Sequence, residues 1–282
     1  MTAISAQRTR APFGVRSLRL SGRSEHGAYV VLRAADPDGP PPQPGQFYML
    51  RASQRWGGGT GERPFLPRAF SVLRAGNGGS GLELEFLIEA VGPGTERLCE
   101  LRGGQGLTVL GPLGVGFTRA RPGHRPILVG GGVGIAPLAI WQDELQSAPF
   151  APTVLLGFRD AEHAAGAELL TGARVATDDG SVGHHGLVTE LLAAELDAGS
   201  AAEVYACGPP PMLEAVRRLC AEREVPAQLA LEAGMACGFG ACFGCVVPTA
   251  RGLIRLCLEG PVLDAGELNA ETFSVPAMGH SE

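Results

Sequence analysis

Four cysteines, Cys237, Cys242, Cys245 and Cys257, follow a C-x4-C-x2-C-x11-C spacing, and the first three lie in the glycine-broken run MACGFGACFGC. Four thiolates at this spacing suit a [2Fe-2S] cluster. Thiolates close around two irons only where the chain reverses tightly, so Gly238, Gly240 and Gly244 read as bends between ligands. A structural zinc ion also takes four thiolates, but usually as two C-x2-C pairs, and here only Cys242 and Cys245 form one. A disulfide pair is the third alternative.

Two glycine clusters could meet a nucleotide. ILVGGG followed by VGIAPL places Gly130, Gly131, Gly132 and Gly134 at a strand-to-helix junction, with Pro137 in the first helical turn. Glycines there let a pyrophosphate approach the backbone, and the helix start supplies free N–H groups. An ordinary tight turn has the same composition. CGPPPML again follows an apolar strand and precedes a helix, so Cys207, Gly208 and Pro209 should reach the same sheet edge. Cys207 then either faces the ligand or is a small buried residue.

A third group lies earlier. Arg68, Ala69, Phe70 and Ser71 on one strand offer a guanidinium for phosphate, an aromatic ring and a hydroxyl, although any half-buried strand carries a core phenylalanine. LIEAVGPGTERL adds Leu87, Ile88 and Glu89 on a strand, then Gly94 and Thr95 where a helix begins. Thr95 fits either a plain cap or a cap that leaves N–H groups for a phosphate. Arg159 could meet a ribose 2′-phosphate, which Asp160 beside it would repel. His184 and His185 lie between glycines with no other ligand type nearby, which suits a solvated turn better than a metal site. Cys99 and Cys220 fall in helical patterns and read as packing residues.

The elements that must hold these residues change character along the chain. Over 15–118, VRSLRL, AYVVLRA, QFYMLRA, RAFSVLRA, LELEFLIEAV and LTVLGPLG are short strands at the spacing of an antiparallel barrel or sandwich. DPDGPPPQPGQ and SQRWGGGTGERPFLP between them are loops, and residues 1–12 lack periodicity, as a disordered start would. After ARPGHRP, apolar strands (ILVGGG, TVLLGF, EVYACG) alternate with helical patterns (PLAIWQDELQ, VTELLAAEL, PMLEAVRRLCAE), which predicts a parallel sheet covered by helices. From about 226 the chain is loop-rich, with short strands at CVVPT and GLIRLC.

Bulk properties narrow the class. A chain of 282 residues has room for two domains and a small third one, and no apolar run reaches transmembrane length. The N-terminus lacks the apolar stretch of a secretory signal. Seven cysteines, four of them clustered, point to metal chemistry in a reducing compartment, hence the cytoplasm. The net charge of −6 argues against a nucleic-acid surface. All 23 basic residues are arginine, which removes lysine chemistry from consideration.

RAFS, GPGTERL, GPLGVGF, GGGVGIAPL and CGPPPML, in that order, closely resemble the ferredoxin-NADP reductase superfamily. The cysteine loop, the fourth cysteine, LEGPVL and ATDDGSVGHHGLVTELL make the chain similar to the electron-transfer subunits of type 1B dihydroorotate dehydrogenases. The resemblance implies an α+β multidomain protein: an antiparallel β-barrel FAD domain over 13–121, an α/β parallel-sheet NAD-binding domain over 122–225 and a small C-terminal [2Fe-2S] β domain over 226–282. It implies FAD contacts at Arg68, Ala69, Phe70, Ser71, Leu87, Ile88, Glu89, Gly94 and Thr95, and cluster ligation by Cys237, Cys242, Cys245 and Cys257. Ala69 stands where these subunits usually carry proline, and GVGF replaces the commoner GNGF.

Nicotinamide exchanges hydride whereas a [2Fe-2S] centre passes single electrons, and a flavin converts between them. The chain has no room for a further TIM barrel of about 250 residues, so a partner must oxidise the organic substrate. By resemblance that partner is an FMN-containing catalytic subunit that oxidises dihydroorotate in pyrimidine biosynthesis, in a heterotetramer with two copies of each chain. Electrons would run from its FMN to the cluster, to FAD and to NAD as co-substrate. The same module resembles subunits of NAD(P)H-dependent ferredoxin oxidoreductases, sulfhydrogenases and sulfite reductases. A non-enzymatic zinc-stabilised binding module is the alternative from another class.

Overall fold

In the first strand Leu18 and Leu20 are buried while Ser17, Arg19 and Ser21 face solvent, the period-2 signature of a sheet with one wet face. A computed structural model describes residues 14–57, 64–79, 81–146 and 151–274. The domain limits read at 13 and 282, the unperiodic 1–12 and positions 58–63 of the glycine-rich loop lie outside them.

Six antiparallel strands close a barrel: β1 (Arg16–His26), β2 (Tyr29–Ala35), β3 (Phe47–Ala52), β4 (Arg68–Gly78), β5 (Gly81–Glu89) and β6 (Gly106–Leu113), in the order β1-β2-β5-β4-β3-β6. Closure through β1 and β6 removes both sheet edges. Leu32, Leu50, Val72, Leu84 and Phe86 fill the interior. Burying side chains of this size contributes about 1.5–3 kcal/mol each. Helix α1 (Pro93–Cys99) follows β5, with proline at its start, where a missing N–H costs nothing.

The second layer is a seven-stranded sheet. Its parallel strands are β7 (Arg125–Gly131), β8 (Thr153–Phe158), β9 (Arg174–Thr177), β10 (His184–His185), β11 (Ala202–Cys207) and β12 (Ala227–Ala230). Helices α2 (Ala136–Leu145), α3 (Ala161–Ala164), α4 (Val188–Asp197) and α5 (Pro210–Glu222) connect them. A short hairpin of β13 (Val246–Thr249) and β14 (Gly252–Arg255) leads to α6 (Leu256–Glu259) and then β15 (Val262–Asp264). The sheet order is β10-β9-β8-β7-β11-β12-β15, with β15 antiparallel to β12, so strands from beyond position 225 complete it.

Three aromatic rings fix the barrel against the sheet. Phe117, just past β6, stacks on Trp141 of α2 at 6.0 Å, and Tyr205 of β11 meets both rings edge-on at 5.6 and 5.4 Å. The Tyr205 hydroxyl donates to the Thr118 carbonyl at 3.0 Å. On the outer side Arg74 of β4 donates to Asp143 of α2 at 2.9 Å. The C-terminal segment is stitched to both layers: Val115 N–H donates to the Gly260 carbonyl and Leu231 N–H to the Pro261 carbonyl.

Candidate electron-transfer site

The barrel, the parallel sheet and the segment before the cysteines meet at one cleft with a void of about 170 Å³. Ala69, Phe70, Ser71 and Leu87 form its barrel wall, and Val133, Gly134 and Ala136 its sheet wall. The third wall is Leu231, Glu232, Ala233 and Met235. Of the residues singled out in sequence, Ala69, Phe70, Ser71, Leu87 and Gly134 therefore converge. Ile88 is fully buried in the barrel core, so it does not line the cleft.

Arg68 and the start of α1 meet although 26 positions separate Arg68 from Gly94. A Cβ on Gly94 would lie 2.9–3.0 Å from the Arg68 guanidinium, so only glycine lets that group sit over the helix start. The guanidinium donates to the Leu66 carbonyl at 2.7 Å and lies 6.0 Å from the Trp56 ring centroid. No carboxylate pairs with it among the described residues. Thr95 acts as a cap: its hydroxyl accepts from Val91 N–H and Gly92 N–H at 2.9 and 3.1 Å and donates to the Gly92 carbonyl. A cation beside first-turn N–H groups that the Thr95 hydroxyl does not engage, next to a cleft walled by Phe70 and a hydroxyl, is a donor set that fits the diphosphate and ring of a flavin dinucleotide.

The two glycine clusters of the sheet touch. Gly130 pairs with Cys207 in the β7–β11 register, and a Cβ on Gly134 would fall 2.6 Å from the Cys207 carbonyl oxygen. A Cβ on Gly131 would meet Met212 and Pro209, and one on Gly208 would meet Met212 and Gly131. Both turns lie at the carboxyl edge of parallel strands, where α/β sheets bind ligands. Cys207 itself is 2% exposed, and burial, with Glu232 adding to it, pushes its thiol well up. It lines no part of the cleft. The Tyr29 hydroxyl is buried without a partner, and a Cβ on Gly132 would lie 3.9 Å from it. An orphaned donor beside a glycine turn fits a dinucleotide there.

The cysteine loop is held from two sides. Gly238 and Gly240 have φ of 78° and 87°, and Cβ atoms there would strike Met49 of β3 and Leu258 of α6. Gly244 is not in the left-handed region; its neighbour Phe243, with φ 59°, makes that bend. Arg255 donates to the Gly240 carbonyl at 3.0 Å and lies 4.9 Å from the Phe243 ring centroid. The eleven-residue gap to the last cysteine is the β13–β14 hairpin. Val246 opposes Arg255, and Leu256 N–H donates to the Cys245 carbonyl at 3.1 Å, so the chain returns Cys257 to Cys245.

The thiols fall into two pairs, Cys237 with Cys242 and Cys245 with Cys257, each within hydrogen-bonding reach. Donation from the Cys257 thiol holds Cys245 down at about 6 and raises Cys257 itself. Burial acts to raise Cys237, but backbone N–H donors to its sulfur outweigh it and lower it. Among the described residues no three metal-ligating side chains gather around one point. Two thiol pairs brought together by one loop and its hairpin are a donor set that fits a cluster with two thiolates on each of two irons. Cys245 and Cys257 are buried, whereas Cys242 is exposed.

The remaining readings resolve plainly. Burial pushes Cys99 up to about 11 and Cys220 up to about 12, as packing residues. His184 and His185 form the exposed edge strand β10, where His184 pairs with Glu190 at 2.6 Å. Glu232, Val133 and Met235 line the cleft without any signal in their local sequence.

The family model described as the iron-sulfur cluster binding domain of dihydroorotate dehydrogenase B matches residues 232–269. Over 233 residues the chain is 37% identical to the dihydroorotate dehydrogenase B (NAD(+)) electron transfer subunit of Desulforamulus reducens, covering 80% of this chain and 86% of that one. A probable counterpart in Methanopyrus kandleri is 36% identical over 235 residues, covering 82% of each. Among solved structures, the NADH-dependent reduced ferredoxin-NADP oxidoreductase matches with a TM-score of 0.75 at 24% identity, covering 91% of both chains. The ferredoxin reductase of carbazole 1,9a-dioxygenase matches with a TM-score of 0.63 at 23% identity, covering 77% of this chain and 67% of that one.

Proposed function

Because this chain belongs to the family of dihydroorotate dehydrogenase B electron transfer subunits, we propose that it carries electrons from a dihydroorotate-oxidising, FMN-containing catalytic subunit to NAD+, two copies of each chain forming the working complex. When bound, a [2Fe-2S] cluster would supply one-electron exchange and FAD its conversion to hydride chemistry. Cys237, Cys242, Cys245 and Cys257 hold the cluster. Arg68, Gly94 and Thr95 hold the flavin diphosphate, Ala69, Phe70, Ser71 and Leu87 its ring, with Ile88 and Glu89 shaping the strand beneath. Gly130, Gly131, Gly132, Gly134, Cys207, Gly208 and Pro209 form the NAD+ edge. The barrel to position 121 is the FAD unit and the parallel sheet the NAD unit. The segment from 226 is the cluster unit and lends β12 and β15 to that sheet.

The observation that carries this reading is the third wall of the cleft. Leu231, Glu232, Ala233 and Met235 line it, and the chain leads straight on into Cys237, so a flavin in the cleft and a cluster in the loop share one short stretch of chain. The loop also presents a face to a partner: Phe239 and Phe243, which flank exposed Cys242 in sequence, are 39% and 62% exposed, and Leu253 on the β14 strand that follows is 76% exposed. Exposed apolar residues gathered at a redox centre suit docking of another protein. Among the described residues no helix is long and apolar enough to cross a membrane. Four clustered cysteines that must stay thiolates suit a reducing compartment, the cytoplasm.

The test is composition. Anaerobically purified protein should carry iron and acid-labile sulfide in equal amounts, two of each per chain, with one FAD. A colourless preparation holding zinc and neither iron nor flavin would overturn the reading.

A further inference from the structure

The edge of the parallel sheet beside the glycine turns carries a cluster of charges built around Arg159. Strands β8 and β9 end side by side: Asp178 N–H donates to the Phe158 carbonyl at 3.0 Å and Asp179 N–H to the Arg159 carbonyl at 3.3 Å. Arg159, the cation that could recognise a ribose 2′-phosphate, is already engaged. It lies 3.3 Å from Glu89 and 3.6 Å from Asp160, and also donates to the His163 ring. Its side chain remains 63% exposed, so charge balance rather than access decides what it binds.

Both loop carboxylates are fixed in place. Asp160 caps α3, accepting from His163 N–H at 3.0 Å and from the His163 ring at 2.6 Å, which lowers its pKa. Asp179 accepts from Ser181 N–H at 2.9 Å and from the Ser181 hydroxyl at 2.6 Å, which lowers its own although Asp160 is near enough to repel it. Glu89 reaches this edge from the barrel, where it stands opposite Tyr29 in the β2–β5 register. Tyr29 is 0% exposed, and its unpartnered hydroxyl lies beside Gly132 among Glu89, Arg159 and Asp160. That buried donor independently marks the edge as a ligand site.

We infer that Glu89, Asp160 and Asp179 together select NAD over NADP: Glu89 and Asp160 neutralise Arg159 from either side, and Asp179 faces the adenosine ribose and repels a 2′-phosphate. The assignment rests on the proposed NAD edge of the sheet. An acidic residue at the end of the second strand of a βαβ unit commonly meets the ribose hydroxyls, and an arginine there accommodates the phosphate. Here both residue types are present, and three carboxylates outnumber one guanidinium. Glu89 is supplied by the barrel, so the discrimination depends on how the two layers are docked and not on the nucleotide loops alone.

At roughly 6–8 Å near a surface, one carboxylate facing a doubly charged phosphate is worth about three- to tenfold in affinity. The test is calorimetric binding of NAD+ and NADP+ to the flavin- and cluster-loaded protein and to Glu89→Gln, Asp179→Asn and the Glu89→Gln/Arg159→Ala double variant. Wild type should bind NAD+ more tightly. Each single variant should narrow the preference by about three- to tenfold, chiefly by tightening NADP+, and the double variant should lose the gain of Glu89→Gln. An unchanged NAD+ to NADP+ ratio in both single variants, with NAD+ still bound, overturns this assignment alone. Failure of wild type to bind either dinucleotide overturns the NAD reading on which it rests. Retained tightening in the double variant would remove Arg159 from the account and refute its neutralisation by Glu89.

Discussion

Replacing Gly134 with alanine would drive a methyl group into the contact that joins the two nucleotide turns. Its Cβ would fall 2.6 Å from the Cys207 carbonyl oxygen and 2.7 Å from Gly208 Cα, about 0.8 Å short of ordinary contact at 3.4 Å. Both opposing atoms are backbone, so no side chain can rotate aside. Gly130 and Cys207 are paired in the β7–β11 ladder, which leaves the turns themselves to move apart. Overpacking of this kind costs about 1–3 kcal/mol, equivalent to roughly 2–10 °C in Tm for a chain of this size. A turn displaced by nearly an ångström should also weaken NAD+ binding at least about tenfold. Gly103→Ala is the control, since nothing lies within 4 Å of its Cβ position and its residue is exposed. Scanning calorimetry and NAD+ titration of both variants check the expectation. If Gly134→Ala melts within a degree of Gly103→Ala and binds NAD+ as wild type does, the two turns do not meet as described.

Arg68→Ala should weaken FAD retention about 10- to 100-fold, the value of a charge-assisted phosphate contact, read by flavin release on dilution; unchanged retention would move the diphosphate elsewhere. Cys245→Ser should abolish electron exchange with the partner while NADH-to-dye activity through the flavin survives. Equal loss of both without loss of FAD would contradict the order of carriers. Leu253→Asp, at a side chain 76% exposed, should weaken assembly with the catalytic subunit more than tenfold and spare NADH-to-dye activity; undiminished assembly in sedimentation would place the docking face elsewhere.

The barrel strands could be read from sequence because each is an apolar run bounded by turn residues; β1 also shows the period, with Leu18 and Leu20 between polar neighbours, whereas β2, β3 and β6 are buried almost throughout. Strand β9, the four residues RVAT between turn signals, was too short to announce itself, and β12 lies in AQLALEA, a composition that suits a helix equally well. Its place in the sheet is decided by pairing with β11. Spacing gave the cysteines, but not why eleven residues separate the last two: that needed the β13–β14 hairpin to be seen returning the chain. The glycine clusters were visible as turns, whereas their mutual contact through Gly134 and the Cys207 carbonyl is a property of register. Glu89 is the clearest limit. Its strand was legible, yet its reach to Arg159 spans 70 positions and two layers, and no local pattern encodes such a contact.

If this chain is the route between dihydroorotate and NAD+, neither reaches the other without it. Purified catalytic subunit, alone and in complex with this chain, should be given dihydroorotate and NAD+ under anaerobic conditions while NADH is followed by absorbance. NADH should form only with the complex, and should not form when the chain carries Cys245→Ser. No NADH from the loaded complex, or equal NADH from the catalytic subunit alone, would contradict it.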